Sequence, residues 1–246
     1  MLEIAVNCGR RITAKGFTMT RKELIALSEV SLFKSIDILD LDKFFRDKEC
    51  RVRHFETGQF PVCQGDSYDS LIILLKGSAG TSMAAPNGKV FRIETLYAPG
   101  PVGTAVLFSG QQTLPVTLEA LEPLDCAYLK SETVLELMHE FPGFLREYLK
   151  DNGNRLLFLA EKLRLFQFRS LRQKIISHLM IQVERQKSDS IQLVYSREEM
   201  SQLMGVARPS LSRELSAMVR EELISCKGRS VTVLNRKGLM NFMNQG

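Results

Sequence analysis

The spacing of apolar positions along the chain changes character several times. From residue 19 to about 47 it is weakly helical and predicts core contacts from Leu24, Leu27, Leu39 and Leu41. Between about 50 and 130, short apolar or β-branched runs alternate with turn residues at Gly58, Gly65-Asp66, Gly77, Pro86-Asn87-Gly88, Pro99-Gly100, Gly103 and Gly110. Strands so closely spaced and so punctuated predict a small all-β barrel or sandwich. The stretch from Asp69 to Gly77 is one buried strand ending at a turn, and Pro86-Asn87-Gly88 is a hairpin tip because Asn and Gly tolerate positive φ. Residues 1–18 match no element and are assigned to a loose arm.

After Ser131 the period becomes helical. Leu145, Leu149, Asn152, Leu156, Leu159, Leu163 and Phe166 follow one another at spacings of 4, 3, 4, 3, 4 and 3, an unbroken heptad seam. Asn152 is its one polar member, and a polar residue in such a seam is how parallel dimeric coils commonly fix their register. A helix packed on its own β domain would carry a similar stripe. Strict spacing over three heptads favours the dimer seam.

Beyond Arg169 a further helix is predicted from Leu171, Ile175, Ile176, Leu179, Met180 and Val183, then a short strand over residues 191–195. Ser196 followed three residues later by Glu199 is a capping box, so a helix starts there. Met200, Leu203 and Met204 are its buried side, Gly205 stops it, and a second helix begins about three residues on. Two helices joined by a short turn containing Gly form the helix-turn-helix pattern. In the second helix Leu211, Leu215 and Met218 make the buried stripe, leaving Pro209, Ser212, Arg213, Ser216 and Arg220 on the opposite face. That face offers hydroxyls and guanidinium groups without a carboxylate, which suits the major groove of DNA. Pro209 fits the first turn, where a missing N–H costs nothing. A β-hairpin with the basic turn Lys227-Gly228-Arg229 follows as a wing.

Charge agrees with this division. Residues 169–246 hold 13 Lys and Arg against 7 Asp and Glu, whereas the preceding 168 residues hold 20 against 21. A basic C-terminal third on a neutral body points to a polyanion partner for that third alone. The composition, 44% hydrophobic and 25% charged, is that of a soluble globular protein. No apolar run approaches the roughly 20 residues of a membrane span, and no secretory signal follows Arg10, Arg11 and Lys15, so a cytoplasmic location is expected. The five cysteines (Cys8, Cys50, Cys63, Cys126 and Cys226) are scattered, with no CxxC pair, and are read as reduced thiols rather than a disulfide framework or metal site. No nucleophile with a base partner, phosphate-cradling loop or useful carboxylate pair is visible, so an enzyme is not expected.

The order of β-roll, long helix and winged helix-turn-helix resembles the cyclic-AMP receptor protein and FNR family of bacterial transcription regulators. In the N-terminal half the resemblance rests on Gly58, Gln64-Gly65-Asp66, Leu75-Lys76-Gly77, Asn87-Gly88, Pro99-Gly100 and Gly103. In the C-terminal half it rests on the run from Ser196 to Val206 and the pair Ser212-Arg213. It implies an α+β fold in two domains: a β-roll sensor of the cyclic-nucleotide-binding type over 19–138, a dimerisation helix over 139–168, and a DNA-binding domain over 169–246. It further implies a homodimer on an inverted-repeat operator and RNA polymerase as a partner. Arg208, Arg213, Ser210, Ser212 and Ser216 are implied as DNA contacts, with Ser196 and Arg197 holding the backbone.

Departures from the family pattern bear on the effector. Read ungapped from Gly103, the position of the ribose-binding glutamate holds Thr104, and that of the phosphate-binding Arg-Ser pair holds Leu114-Pro115. A buried phosphate without a guanidinium partner costs several kcal/mol. The expected effector pocket at Gly103, Thr104, Leu114 and Pro115 is therefore more apolar, suited to an uncharged or aromatic molecule rather than a cyclic nucleotide. The closely spaced N-terminal cysteines of the iron–sulfur members are missing, and no cofactor is evident. His54 and Cys63 are the candidates for a haem ligand, and Cys50, Cys63 and Cys126 for a thiol switch. The alternative reading is a cyclic-nucleotide-sensing or haem/redox-sensing member of the same family. Where other members read cytosine with a glutamate, this chain has Pro209, which implies a different operator base at that position.

Overall fold

The structure, a computed structural model, describes residues 19–85 and 89–243. The assigned arm and the hairpin tip Pro86-Asn87-Gly88 lie outside the described residues. The chain divides into two compact units at 154/155.

In the first unit, helix α1 (Arg21–Ser28) starts at a capping box formed by Thr20 and Glu23. A 3-10 turn (Ser31–Phe33) and α2 (Ile38–Phe45) follow, so the predicted helical stretch is two short helices rather than one. The Asp37 side chain caps α2 and sets its phase. Leu41, Phe44 and Phe45 then face inward, while Leu39, two positions from Leu41 and on the far side, is 67% exposed. The expected core contact from Leu39 is thus not made. Leu24, Leu27 and Leu41 are buried.

Seven strands follow. They are β1 (Cys50–Phe55), β2 (Ser70–Lys76), β3 (Ser78–Ala84), β4 (Val90–Tyr97), β5 (Gly100–Val102), β6 (Thr117–Ala120) and β7 (Leu124–Lys130). They form a four-stranded sheet of order β1-β7-β2-β5 and a three-stranded sheet of order β4-β3-β6, all pairings antiparallel, sharing one apolar core. Strand β2 is a central strand, paired along its edges with β5 and β7, and its run Leu71–Leu75 is buried in the apolar core, with α1 and α4 (Ser131–Glu140) packed against it. Between β5 and β6, Gly103 at φ 62° opens the short helix α3 (Thr104–Leu107).

Helix α5 runs over Pro142–Leu165, 24 residues spanning the division between the units. The second unit continues with α6 (Leu171–Gln186), β8 (Ser190–Gln192), α7 (Arg197–Met204), α8 (Arg208–Arg220), β9 (Ile224–Lys227), β10 (Ser230–Val233) and α9 (Arg236–Met243). The strand expected over 191–195 is shorter: it ends at Gln192, and Val194 is exposed. The three strands pair in the order β8-β10-β9. Ile175, Leu179, Leu203, Leu211, Leu215, Met218, Ile224 and Val231 fill the core beneath them.

Candidate nucleic-acid interface

Ser196 ends the approach to α7 with its hydroxyl accepting the Glu199 N–H at 3.2 Å, while the Glu199 carboxylate accepts the Ser196 N–H at 2.6 Å. The hydroxyl is therefore engaged locally. Gly205 at φ 71° terminates α7, and α8 begins at Arg208. Its N-cap, Ala207, supplies no side-chain hydrogen bond, but its carbonyl accepts the Ser210 N–H at 2.9 Å and the Leu211 N–H at 3.2 Å. Leu211, Leu215 and Met218 are buried, and Pro209, Ser212, Arg213, Ser216 and Arg220 are exposed, as the helical period predicts. Arg213 lies along its own helix, with Nε donating to the Pro209 carbonyl at 3.4 Å and Nη2 donating to the half-buried Ser210 at 3.3 Å.

Two hollows flank α8. One, of about 910 Å³, is lined by Arg197, Ser212, Arg213, Ser216, Arg220 and Cys226. The other, of about 350 Å³, brings Arg197 and Arg208 together with Arg229 of the wing turn. Arg197 takes part in both, and its Nη1 is buried without a hydrogen-bond partner. Sequence reading placed Arg229 at the wing tip without joining it to Arg197, because the two are brought together only by the pairing of β8, β9 and β10.

Glu214 of α8 and Glu221 at its C-cap are both engaged by one arginine of α6. Arg172 on α6 donates Nε to Glu214 at 2.6 Å and both terminal nitrogens to Glu221 at 2.7 and 2.8 Å, and its guanidinium lies 4.7 Å over the Phe242 ring. These bonds raise the Arg172 pKa, Glu221 contributing most, and Arg172 in turn holds the Glu221 carboxyl below its usual range. The clamp ties α8 to α6 and α9 while drawing both carboxylates away from the basic face.

A second polar cluster joins the C-terminal half of α5 to α6. His178, fully buried, shares a 2.6 Å hydrogen bond between Nδ1 and Glu161, stacks on Tyr195 at 5.9 Å, and has Arg164 nearby donating to Ser177 at 2.6 Å. Burial raises the Glu161 pKa, but the His178 hydrogen bond and charge, with Arg164 and Arg185, more than offset this and hold it below the ordinary value. A carboxyl depressed in this way stabilises the fold above its unfolded-state pKa and loses that contribution as pH falls through the folded value. Thermal melts from pH 7 to pH 3 should therefore show wild type losing its margin over Glu161→Gln in the acid range, from about 2 kcal/mol at neutrality. Parallel curves at every pH would show that the pair carries no such linkage.

The expected sensor residues separate into two groups. Gly103, Thr104 and Leu114 come together: Leu114 Cδ1 stands 3.1 Å from where a Cβ on Gly103 would lie, and both Thr104 and Leu114 are buried. The Thr104 hydroxyl donates to Asp151 at 2.7 Å, and Tyr148 donates to the Thr104 carbonyl at 2.6 Å, both partners on α5. Pro115 is exposed. On α5 itself, Phe144 and Tyr148 enter the roll's core, whereas Leu149, Leu156, Leu159 and Leu163 are exposed, as is Phe166 beyond the helix end. Leu145 lies at the border of exposure, and Asn152, half-buried, donates to the Tyr148 carbonyl at 2.9 Å with its Oδ1 unpartnered.

Among the described cysteines, Cys63 is disulfide-bonded, which corrects the reading of every cysteine as a reduced thiol. Cys50 and Cys126 are buried free thiols; burial, assisted by Glu23, pushes the Cys50 pKa up to about 12 and raises that of Cys126 likewise, with Asp125 assisting. Neither has thiolate character for redox work. His54 is exposed and bonded to Asp125 at 2.6 Å and Glu56 at 3.2 Å. Among the described residues no cluster of three or more His, Cys, Asp or Glu could hold a metal ion, and no helix is long and apolar enough to cross a membrane.

Comparison with known proteins agrees with both halves of this geometry. Residues 52–141 match the cyclic nucleotide-binding domain family, and residues 173–242 match the Crp-like helix-turn-helix domain, together more than half of the chain. The chain is 21% identical over 188 residues to the cAMP-activated global transcriptional regulator CRP of Salmonella typhimurium, covering 75% of this chain and 90% of that protein. It is 24% identical over 217 residues to the transcriptional activator protein Anr of Pseudomonas protegens, covering 85% and 87%. The solved structure of a cysteine-to-serine variant of CprK complexed with OCPA shares the fold, with a TM-score of 0.56 at 17% identity over 82% of this chain and 93% of that one. With a nucleotide-binding-type roll and a Crp-like reading head in one chain, and relatives of the same order along most of its length, the chain belongs to the Crp/Fnr family of DNA-binding transcription regulators.

Proposed function

We propose that the protein acts as a homodimer on an inverted-repeat operator, under the control of an effector held in the roll that is not a cyclic nucleotide. In this reading residues 19–138 sense, 139–168 dimerise and 169–246 bind DNA, and the complex acts on RNA polymerase in the cytoplasm. One observation carries the dimer: α5 uses Phe144 and Tyr148 against its own roll, while its heptad leucines stay exposed. A stripe serving only to pack the helix on its own domain would be covered in the single chain. Two reading heads carried on one seam should present their α8 helices about 34 Å apart, one turn of DNA.

Arg208 and Arg213 are assigned to bases or phosphates, Ser210, Ser212 and Ser216 to secondary contacts, and Ser196 and Arg197 to the backbone. The unpartnered Nη1 of Arg197 supports its assignment to phosphate. Against a cyclic nucleotide stands the chemistry at its usual anchoring positions. The Thr104 hydroxyl is already committed to Asp151, a carboxylate that would repel a phosphate, and Leu114 offers no donor. The test is selection of bound duplexes from a random pool at about 0.15 M salt, where purely electrostatic binding is suppressed. An enriched inverted repeat is the expected result, and enrichment of unpaired or random sequence would reject the dimeric reading. On the selected operator, Arg213→Ala should lose about tenfold or more in affinity, ~1.4 kcal/mol. Unchanged affinity would remove α8 as the reader.

A further inference from the structure

With the usual effector positions packed or exposed, the roll still contains a cavity of about 240 Å³, elsewhere on the four-stranded sheet. Its walls include Arg51 and Arg53 of β1, Tyr128 and Lys130 of β7, and Tyr68 before β2. The volume is below the usual range for drug-sized ligands, so the occupant is small. Most of its charges are engaged: Arg51 pairs with Glu49, Lys130 with Asp69 at 2.7 Å, and Asp66 accepts the Cys63 N–H at 2.8 Å. Arg53 differs. Its guanidinium stands 5.1 Å from the Tyr128 ring centre, its Nε is buried without a hydrogen-bond partner, and no carboxylate among the described residues pairs with it. A permanent cation that lines a cavity with no carboxylate partner among the described residues fits one anionic group. Pro61, Val62 and Ile72 supply the apolar part of the same wall.

The cavity also connects to the long helix. The Tyr68 hydroxyl donates to the Val102 carbonyl and accepts the Ile72 N–H at 3.1 Å. Its ring edge lies 3.3 Å from where a Cβ on Gly103 would stand. Gly103 opens α3, whose first residue, Thr104, holds Asp151 and Tyr148 of α5. We propose that the roll's effector is a small monocarboxylate bound at Arg53, its apolar body against Val62, Ile72 and Tyr128, and that its presence reaches α5 through Tyr68, Gly103 and Thr104. The proposal rests on the reading of the roll as the sensor of a DNA-binding regulator.

Benzoate is the probe, with uncharged benzamide as control, in calorimetry on the full chain and in operator-binding titrations. Wild type should take up one benzoate per chain and bind benzamide at least about tenfold more weakly. Arg53→Gln should lose about tenfold or more in benzoate affinity, and Arg53→Lys should recover part of it, which separates lost charge from a misfolded roll. Saturating benzoate should change operator affinity by about tenfold, within the ordinary span of allosteric coupling. Thr104→Val should still bind benzoate while that change shrinks to about twofold or less. Equal benzoate binding by Arg53→Gln, absence of binding to wild type, or binding that leaves operator affinity unchanged would each overturn the proposal. An inverted repeat selected without benzoate keeps the regulator reading intact in those cases. If no inverted repeat is selected with or without benzoate, that reading fails, and calorimetry on Arg53→Gln still decides the cavity.

Discussion

Leu156→Glu is expected to convert the protein to a monomer and to weaken operator binding by about a hundredfold or more. Leu156 sits at the middle of the heptad row, is 69% exposed in the single chain, and belongs to neither apolar core. Its substitution therefore leaves each unit's own packing untouched, and the melting temperature of the isolated chain should not fall. In a symmetric seam the same residue meets its own copy, so two carboxylates would be desolvated side by side, at several kcal/mol. A monomer then engages one half-site without the second tethered beside it, and such tethering is worth about 10² to 10⁴ in apparent affinity. Sedimentation equilibrium and fluorescence anisotropy on the selected operator read the two effects separately. A variant that stays dimeric with full operator affinity would place the subunit contact elsewhere. Asn152→Leu provides the opposite control. The unpartnered Oδ1 of Asn152 has no counterpart in leucine, so the dimer should persist or tighten while losing a register-setting group.

What could be read from the chain beforehand follows the range of the interactions concerned. Caps, stop signals and periodicity are local, so the capping box at Ser196, the stop at Gly205 and the buried stripe of α8 were legible residue by residue. The heptad row was legible too, although only the structure distinguishes it from the Phe144 and Tyr148 face that packs on the roll. Leu39 misled because helical phase depends on where the helix starts, and the Asp37 cap shifts it. The Arg172 clamp joins residues 42 and 49 positions apart, and the Thr104–Asp151 bond joins residues 47 apart. No periodicity reports such pairings. Leu114 and Pro115 were read as one unit because a family pair stands there, yet one is buried and its neighbour exposed. The alternation of Arg51, Val52, Arg53 and His54 looks like a solvated strand edge, and the cavity at Arg53 becomes visible only once β7 brings Tyr128 alongside.

The glycines show the same division, and they carry the other large effect. By spacing alone Gly58, Gly65 and Gly77 are equivalent turn residues, and all three adopt positive φ, at 83°, 88° and 87°. An alanine in that conformation costs roughly 1–2 kcal/mol from its Cβ against its own backbone. At Gly58 and Gly65 nothing lies within 4 Å of the added carbon, so the cost should end there. At Gly77 the Cβ would stand 2.5 Å from the Pro123 carbonyl oxygen and 3.2 Å from Leu124 Cα, both backbone atoms at the start of β7. Relief requires β7 to move away from the turn between β2 and β3, yet β7 is paired with β1 on one side and β2 on the other, with one irregularity between Leu74 and Lys76. Gly77→Ala should therefore lose about 3–5 kcal/mol, in the range reserved for core clashes and backbone strain combined, against about 1–2 for Gly58→Ala. Urea unfolding of the two variants beside wild type measures the difference. Equal losses would mean that the β2–β3 turn yields freely, which would contradict the close backbone contact between Gly77 and Pro123.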